Sequence, residues 1–120
     1  MSKQSELGKW GEVMATNFFE KNGFTIEANN YRWRKKEIDL IVSSDREIIF
    51  VEVKTRTVGI LSAPEDALTK AKQKHLVAAA NAYIEENNTD KEARFDVITI
   101  WSNGTEHKLK HIPNAFGPRW

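Results

Sequence analysis

The sequence predicts an α/β fold: a restriction-endonuclease-like central mixed β-sheet of about five strands flanked by helices, in the order α-β-β-β-α-β-β. Two segments repeat apolar residues at helical spacing, and five shorter runs are rich in β-branched and aromatic residues. A mixed sheet covered by helices buries both apolar helix stripes. The 120 residues, 40% hydrophobic and 29% charged, suit a single domain over residues 1–120.

The first helix is predicted from Ser5 to Lys21, with Asn22-Gly23 ending it. Its apolar residues recur at helical spacing and comprise Leu7, Trp10, Gly11, Met14, Phe18 and Phe19. Three strands are then predicted over residues 24–33, 37–42 and 47–54. The last two form a predicted hairpin around Ser44-Asp45-Arg46.

The second helix is predicted from Pro64 to Glu86. Ser62 and Glu65 have capping-box spacing and Pro64 suits a first helical turn, while residues 58–63 lack a period and are predicted as a loop. Two further strands are predicted over residues 95–101 and 107–112. The turn-favouring pair Asn103-Gly104 joins them.

Composition excludes several classes of function. The chain has no cysteine, so disulfides, thiolate metal sites and cysteine nucleophiles are excluded. It has no apolar run of the roughly 20 residues that cross a bilayer and no apolar signal segment in Met1–Glu6, so we expect a cytoplasmic protein without membrane association. The net charge of +1 does not itself indicate nucleic acid, but basic residues cluster at Arg32, Arg34, Lys35 and Lys36.

The predicted hairpin brings two acids together. If it turns midway between Asp45 and Arg46, facing residues have numbers that sum to 91, which pairs Asp39 with Glu52 and Glu37 with Lys54. One face is then wholly apolar and packs on the core, and it carries Ile38, Leu40, Val42, Ile49, Val51 and Val53. The other face has Ile41, Ile48 and Phe50 near the turn, and gathers Glu37, Asp39, Glu52 and Lys54 at its far end.

Facing carboxylates repel, so this arrangement favours a cation between them. Oxygen ligands suit Mg²⁺ or Mn²⁺, which one or two carboxylates with water and phosphate commonly hold. Lys54 shares a strand face with Glu52 and could assist an attacking water. The alternative is a solvated strand face with an ordinary salt bridge, although charges within the apolar run 48–54 are costly.

An Asp followed ten to twenty residues later by Glu-x-Lys on a strand resembles the core motif of the PD-(D/E)xK, or restriction-endonuclease-like, superfamily. The resemblance extends to the YraN-like family of small predicted endonucleases, related to archaeal Holliday-junction resolvases, and covers nearly the whole chain. The matching segments are Gly11-Glu12, Asn30–Arg32, Glu37–Ile41, Phe50–Arg56, Lys72, Arg94–Val97 and Ala115-Phe116. This chain has Lys36 where the family usually has glycine.

The resemblance implies a Mg²⁺- or Mn²⁺-dependent endonuclease that hydrolyses phosphodiester bonds in DNA, including branched structures by analogy with resolvases. Asp39, Glu52 and Lys54 would form the catalytic centre, with Glu12 from the first helix as a further catalytic acid and metal ligand. A resolvase-like action would favour a homodimer. The alternative is a nucleic-acid-binding or regulatory module that retains the fold with little or no cleavage.

Predicted nucleic-acid contacts flank this centre. They are Arg32, Arg34, Lys36 and Arg56, of which Arg32 and Arg56 match the family pattern, and Lys72 and Gln73, which match positions that the family tends to keep polar or basic. For the basic run, the alternative is a solvated turn. Trp33 and Trp101 could stack on bases or pack within the protein. His107 and His111 are too far apart on a strand to share a metal, so we expect structural or surface roles for them.

Overall fold

The computed structural model describes residues 5–57 and 68–117. Two helices and five strands follow in the predicted order, which confirms the fold class. They are α1 (Glu6–Lys21), β1 (Thr25–Trp33), β2 (Lys36–Ser43), β3 (Glu47–Thr57), α2 (Lys70–Glu86), β4 (Glu92–Ser102) and β5 (His107–Phe116). Neither helix is long and apolar enough to cross a membrane, over the residues that the structure describes.

The five strands form one mixed sheet in the order β1-β2-β3-β4-β5. Neighbouring strands are antiparallel except for β3 and β4, which run parallel from Glu47↔Glu92 to Thr57↔Ser102. Parallel neighbours need a long crossover, and the connection from β3 to β4 contains α2. The ends of β3 and β4 and the β1–β2 and β4–β5 turns therefore lie at one end of the sheet.

Helix α1 has the predicted bounds to within one residue. The Ser5 hydroxyl accepts a hydrogen bond from the Gly8 N–H (3.0 Å), which caps the first turn. The helix ends at Asn22 and Gly23, and Gly23 has a φ of 89°, a left-handed conformation that glycine adopts at little cost.

Gly11 lets α1 approach the sheet. A Cβ at this position would lie 2.1 Å from Thr55 Cγ2, so no larger residue fits without a shift. The next residue in the chain is Glu12, which the helix thereby holds near the sheet.

The predicted start of α2 is wrong at residues 68 and 69. Thr69 has an extended backbone (ψ 156°) and its hydroxyl accepts from the Lys72 N–H (3.1 Å), so the helix begins after it. A helix N-terminus leaves N–H groups without intrahelical partners, and Thr69 provides the acceptor. The predicted capping box at Ser62 and Glu65, Pro64 and the loop over residues 58–63 lie outside the described residues.

Each helix covers an apolar cluster on its own face of the sheet. Under α1 the buried residues are Ala15, Phe19, Leu40, Val42, Ile49, Val51, Ile98 and Ile100. Under α2 they are Ile38, Ile41, Ile48, Phe50, Leu76, Ala79, Ala80, Tyr83 and Phe95. The predicted division of β3 between two faces is confirmed by these clusters, which place Ile49 and Val51 under α1 and Ile48 and Phe50 under α2.

The prediction that Ile38 shares a face with Leu40 is wrong. Ile38 and Ile41 pack in the same cluster under α2, although they are an odd number of residues apart. On β1 the residue facing this interval is Asn30, which has a φ of 53° in the left-handed region. A left-handed residue breaks the alternation of a strand, and β1 and β2 change faces together at this point.

Candidate functional site

The β2–β3 hairpin has the predicted register where its strands pair. Leu40 faces Val51 and Ser43 faces Ile48, so the residue numbers sum to 91. The pairing ends at Leu40, one residue before Asp39 would face Glu52. Asp39 Oδ2 instead accepts a hydrogen bond from the Val53 N–H (2.8 Å). A carboxylate thus replaces a backbone carbonyl as the acceptor, and this turns Asp39 towards β3.

The carboxyl groups of Asp39 and Glu52 interact directly and are largely shielded from water. Burial, and next the negative charge of Glu52, raise the pKa of Asp39 to about 7, although the hydrogen bond from Val53 opposes the shift. Burial also raises the pKa of Glu52, against the lowering effect of Lys72. The structure therefore confines two acids in one desolvated site, where both are harder to ionise than in water.

Lys72 approaches the acidic pair from α2. Its Nζ lies 3.7 Å from Glu52 Oε2, and the Glu52 side chain is 13% exposed. The sequence predicts Lys72 as a nucleic-acid contact, and does not indicate its ion pair with Glu52. The two residues stand on different elements, and only the packing of α2 on the sheet brings them together.

Glu52 has an oxygen whose bonding is incomplete. Its Oε1 is buried and has no hydrogen-bond partner among the described residues. A buried acceptor without a partner is costly, and a carboxylate more so. Two adjacent carboxylates with an unsatisfied oxygen fit a hard divalent cation such as Mg²⁺, which needs only one or two protein carboxylates and otherwise keeps water.

Glu12 is not part of this pair. It lies beside Gly11 on the α1 face of the sheet, where Gly11 contacts Thr55. Within residues 5–57 and 68–117, no three Asp, Glu or His side chains are close enough to hold one ion. Asp39 and Glu52 are thus brought together, and Glu12 as a further ligand stays a prediction.

Lys54 and Glu37, which the sequence places at the same end of the hairpin, do not face one another in the strand register. Lys54 is two residues beyond Glu52 on β3, and its charge lowers the pKa of Glu52. Glu37 instead faces Arg32 of β1 in the register, with Arg32 Nε 3.9 Å from Glu37 Oε2. The predicted pairing of Glu37 with Lys54 is absent, since the β2–β3 ladder ends at Leu40.

The basic turn between β1 and β2 is organised around Trp33. The Arg34 guanidinium lies 4.4 Å from the centre of its ring and the Lys36 ammonium 5.4 Å. These are cation–π distances. Trp33 also packs against the cluster under α2, so both cations lie beside a ring that is anchored on the protein, although Arg34 itself is exposed.

Gln73 and Arg56 have local hydrogen bonds. Gln73 Nε2 donates to the Leu68 carbonyl (2.9 Å), just before α2, and Arg56 Nη1 donates to the Thr55 carbonyl (3.0 Å). Gln73 also lines a cavity of about 710 Å³ between α2 and the end of β5. Val77 and Phe116 line it as well, and neither acid of the pair does.

A second polar cluster centres on Asp96, which is fully buried. Arg94 donates to both of its carboxylate oxygens (2.8 Å each), His111 Nε2 lies 2.6 Å from Oδ2 and the Asn114 N–H donates to Oδ1 (3.0 Å). Burial alone would raise the pKa of Asp96, but the bonds from His111, Arg94 and Asn114 outweigh it and lower the pKa. The sequence singles out this segment without indicating the network, because His111 and Asn114 lie on another strand.

The histidines have the structural roles that the sequence predicts. The His107 ring contacts the Trp10 ring edge-on, with 5.4 Å between ring centres. The His111 ring contacts those of Phe18 and Phe19, with 5.2 and 5.3 Å between ring centres. These contacts place His107 and His111 on the α1 face of β5.

Fold and site together define an α/β protein with a largely buried pair of carboxylates on one face of a mixed sheet. The model of the family described as "Uncharacterised protein family UPF0102" matches residues 11–100. The chain belongs to this family, which confirms the YraN-like resemblance.

Several relatives match over nearly their whole length. A UPF0102 protein of Flavobacterium psychrophilum is 37% identical over 116 residues, which is 97% of this chain and 98% of the relative. One of Parabacteroides distasonis is 38% identical, covering 97% and 96%. One of Chlorobium phaeobacteroides is 42% identical over 118 residues, covering 92% and 94%.

Proposed function

We propose that the chain is a divalent-metal-dependent nuclease of the PD-(D/E)xK, restriction-endonuclease-like superfamily, which hydrolyses phosphodiester bonds in DNA in the cytoplasm. The observation that carries the proposal is the contact between Asp39 and Glu52 where the β2–β3 ladder ends, with Glu52 Oε1 buried and lacking a hydrogen-bond partner among the described residues. Two desolvated carboxylates in contact repel one another, and Lys72 offers a single positive charge 3.7 Å from Glu52 Oε2, so the pair favours a further cation.

Asp39 and Glu52 would hold Mg²⁺ or Mn²⁺, and the bound cation would lower the pKa of a water and offset charge on the phosphate. The Val53 N–H fixes one oxygen of Asp39, which sets the direction of the carboxylate. Lys72 lowers the pKa of Glu52 and so favours its ionised, metal-binding form. Lys54 provides an amine on the same strand face, suited to proton transfer or to charge neutralisation at phosphorus.

A second candidate is a nucleic-acid-binding or regulatory module with little or no cleavage. The observation in its favour is that Glu12 does not join Asp39 and Glu52 in a three-acid group among the described residues. A site with two carboxylates would bind a cation more weakly than a site with three. Such a module would bind DNA with strong salt dependence and leave it intact.

The test is a cleavage panel with plasmid, single-stranded and branched DNA, in Mg²⁺, Mn²⁺ or EDTA. Asp39→Asn and Glu52→Gln should abolish cleavage, and Lys54→Ala should reduce it by two to four orders of magnitude, as roughly expected for a lost general acid or base. Asp45→Asn is the matched control, since Asp45 is an exposed acid in the turn at the other end of the same hairpin.

Calorimetric titration with Mn²⁺ separates the two candidates. The nuclease proposal requires that the wild type bind Mn²⁺ at one saturable site, that Asp39→Asn lose this binding and that Asp45→Asn retain it. Metal binding without cleavage of any substrate would support the binding module. If the wild type neither binds Mn²⁺ nor cleaves DNA, the acidic pair has a structural role only.

A further inference from the structure

Three rows of side chains cross β3, β4 and β5 beside the acidic pair. The register places Glu52, Val97 and Ile112 in the first row. Lys54, Thr99 and Lys110 form the second, and Arg56, Trp101 and Lys108 the third. Successive rows are about 7 Å apart and neighbouring strands about 5 Å apart. We call the second and third rows the basic grid.

The grid lies on the α2 face of the sheet. On β3, Val53 packs in the cluster under α1 and Thr55 contacts Gly11 of that helix. On β4, Ile98 and Ile100 belong to the same cluster, and on β5 His107 and Leu109 face Trp10 and the cluster. The residues that alternate with these point to the opposite face, where Glu52 meets Lys72 of α2.

No helix covers the grid within the described part of the chain. Helix α2 packs over β1, β2 and the first residues of β3 and β4, where its cluster contains Ile48, Phe50 and Phe95, and no grid residue belongs to that cluster. Lys108 and Lys110 are exposed, and Lys54 and Arg56 are half-buried. Trp101 is half-buried and belongs to neither apolar cluster, which separates it from the tryptophans that pack in the core.

The charge of the grid has one sign. Its six positions hold four cations and no acid, although the whole chain has a net charge of only +1. Cations stand on both outer strands, and the middle strand carries a hydroxyl and an indole. A polyanion with flat apolar groups fits this pattern, because phosphates would meet the flanking cations while a ring stacks on Trp101.

We propose that the basic grid binds a single-stranded segment of nucleic acid, with one unpaired base stacked on Trp101 and its phosphates on Lys108, Lys110 and Arg56. This inference rests on the proposed function and names its substrate as a strand with an unpaired region next to the acidic pair. A duplex hides the faces of its bases, so a stacking indole between cations selects an unstacked strand. The row next to the grid carries Glu52, which places the bound strand about 7 Å from the acids.

The test measures binding without cleavage, using a fluorescein-labelled single-stranded oligothymidylate and a duplex of equal length in EDTA. The Lys108→Gln/Lys110→Gln variant should weaken single-strand binding and reduce the salt slope, log K against log[salt], by about 1.4, or about 0.7 for each lost phosphate contact. The matched control is Lys9→Gln/Lys21→Gln, which removes two exposed lysines from α1 on the other face. Its slope should equal that of the wild type.

Trp101 has its own pair of variants. Trp101→Leu should weaken single-strand binding by at least about fivefold, while Trp101→Phe, which keeps an aromatic ring, retains most of the affinity. If Trp101→Leu fails to fold, as circular dichroism would show, the lysine pair and Trp101→Phe still decide. The proposal fails if both double-lysine variants have the same slope, if the duplex binds as tightly as the single strand, or if a folded Trp101→Leu binds like the wild type.

Failure of the proposed function is distinguishable from failure of this inference. Binding in EDTA is unaffected by whether the acidic pair cleaves, and Asp39→Asn should bind the single strand at least as well as the wild type. If the wild type binds the single strand but cleaves no substrate, the proposed nuclease function is refuted and the binding inference stands. If the wild type cleaves DNA but the lysine and Trp101 variants of the grid bind the single strand normally, the binding inference alone is refuted.

Discussion

Asp39→Asn is expected to stabilise the metal-free protein at neutral pH, although it should abolish catalysis. The side-chain oxygen of the introduced asparagine can accept from the Val53 N–H as Asp39 does. Its amide can also donate to Glu52, as the protonated acid does, and it carries no charge. The substitution therefore keeps the bonds of the pair and removes the repulsion between two desolvated carboxylates.

The magnitude follows from the pKa of Asp39, which rises from 3.8 to about 7 on folding. Between these values the folded protein holds a proton that the unfolded chain has lost, so stability falls as the pH rises through this window. A shift of roughly three units at about 1.4 kcal/mol each costs the ionised folded state about 4 kcal/mol. Between pH 5 and pH 8 the loss is roughly 2 to 3 kcal/mol.

The assay is urea unfolding of wild type and Asp39→Asn in EDTA from pH 5 to pH 8. The difference in unfolding free energy between them should widen in favour of the variant as the pH rises, and subtraction removes contributions from groups outside the acidic pair. Mn²⁺ should stabilise the wild type and not the variant. A difference that is constant across this range, or that narrows, would refute the reasoning that the two carboxyl groups are forced together.

Two further predictions concern the framework, and both are measured by urea unfolding. Gly11→Ala should lower the free energy of unfolding by about 1 to 3 kcal/mol, because the added Cβ would lie 2.1 Å from Thr55 Cγ2. The double variant Gly11→Ala/Thr55→Ser, which lacks that methyl group, should recover most of this loss. No recovery would contradict the assigned contact. Asp96→Asn should lower the free energy of unfolding by about 3 to 5 kcal/mol, since Arg94 loses its buried ionic partner. A loss below about 1 kcal/mol would contradict a stabilising role for the Asp96 network.

The acidic pair could be predicted from sequence because the hairpin register depends on local information. The turn at residues 44–46 and the alternation of apolar residues fix which residues face one another, and Leu40↔Val51 confirms the sum of 91. The bounds of α1 were predictable for the same reason, since Ser5 and Gly23 mark its ends within the segment itself.

Three features could not be predicted, because each depends on a partner distant in sequence or on a rare backbone conformation. Asn30 adopts a positive φ inside β1, which moves Ile38 to the cluster under α2. Lys72 meets Glu52 only through the packing of α2 on the sheet. The Asp96 network joins β4 to His111 and Asn114 on β5, and no periodicity indicates such a contact.

The position of α2 accounts both for the raised pKa values of the acidic pair and for the exposed basic residues beside it. Because α2 covers β1, β2 and the first residues of β3 and β4, the side chains beneath it are withdrawn from water, and Asp39 has its pKa raised chiefly by burial. Because α2 does not extend over the basic grid within the described residues, Lys108 and Lys110 stay exposed and Lys54 and Arg56 half-buried. Glu52 lies where the covered and open halves meet. A cation bound there would have largely buried carboxylate ligands beside an exposed basic surface, the arrangement that the proposed phosphodiesterase activity requires.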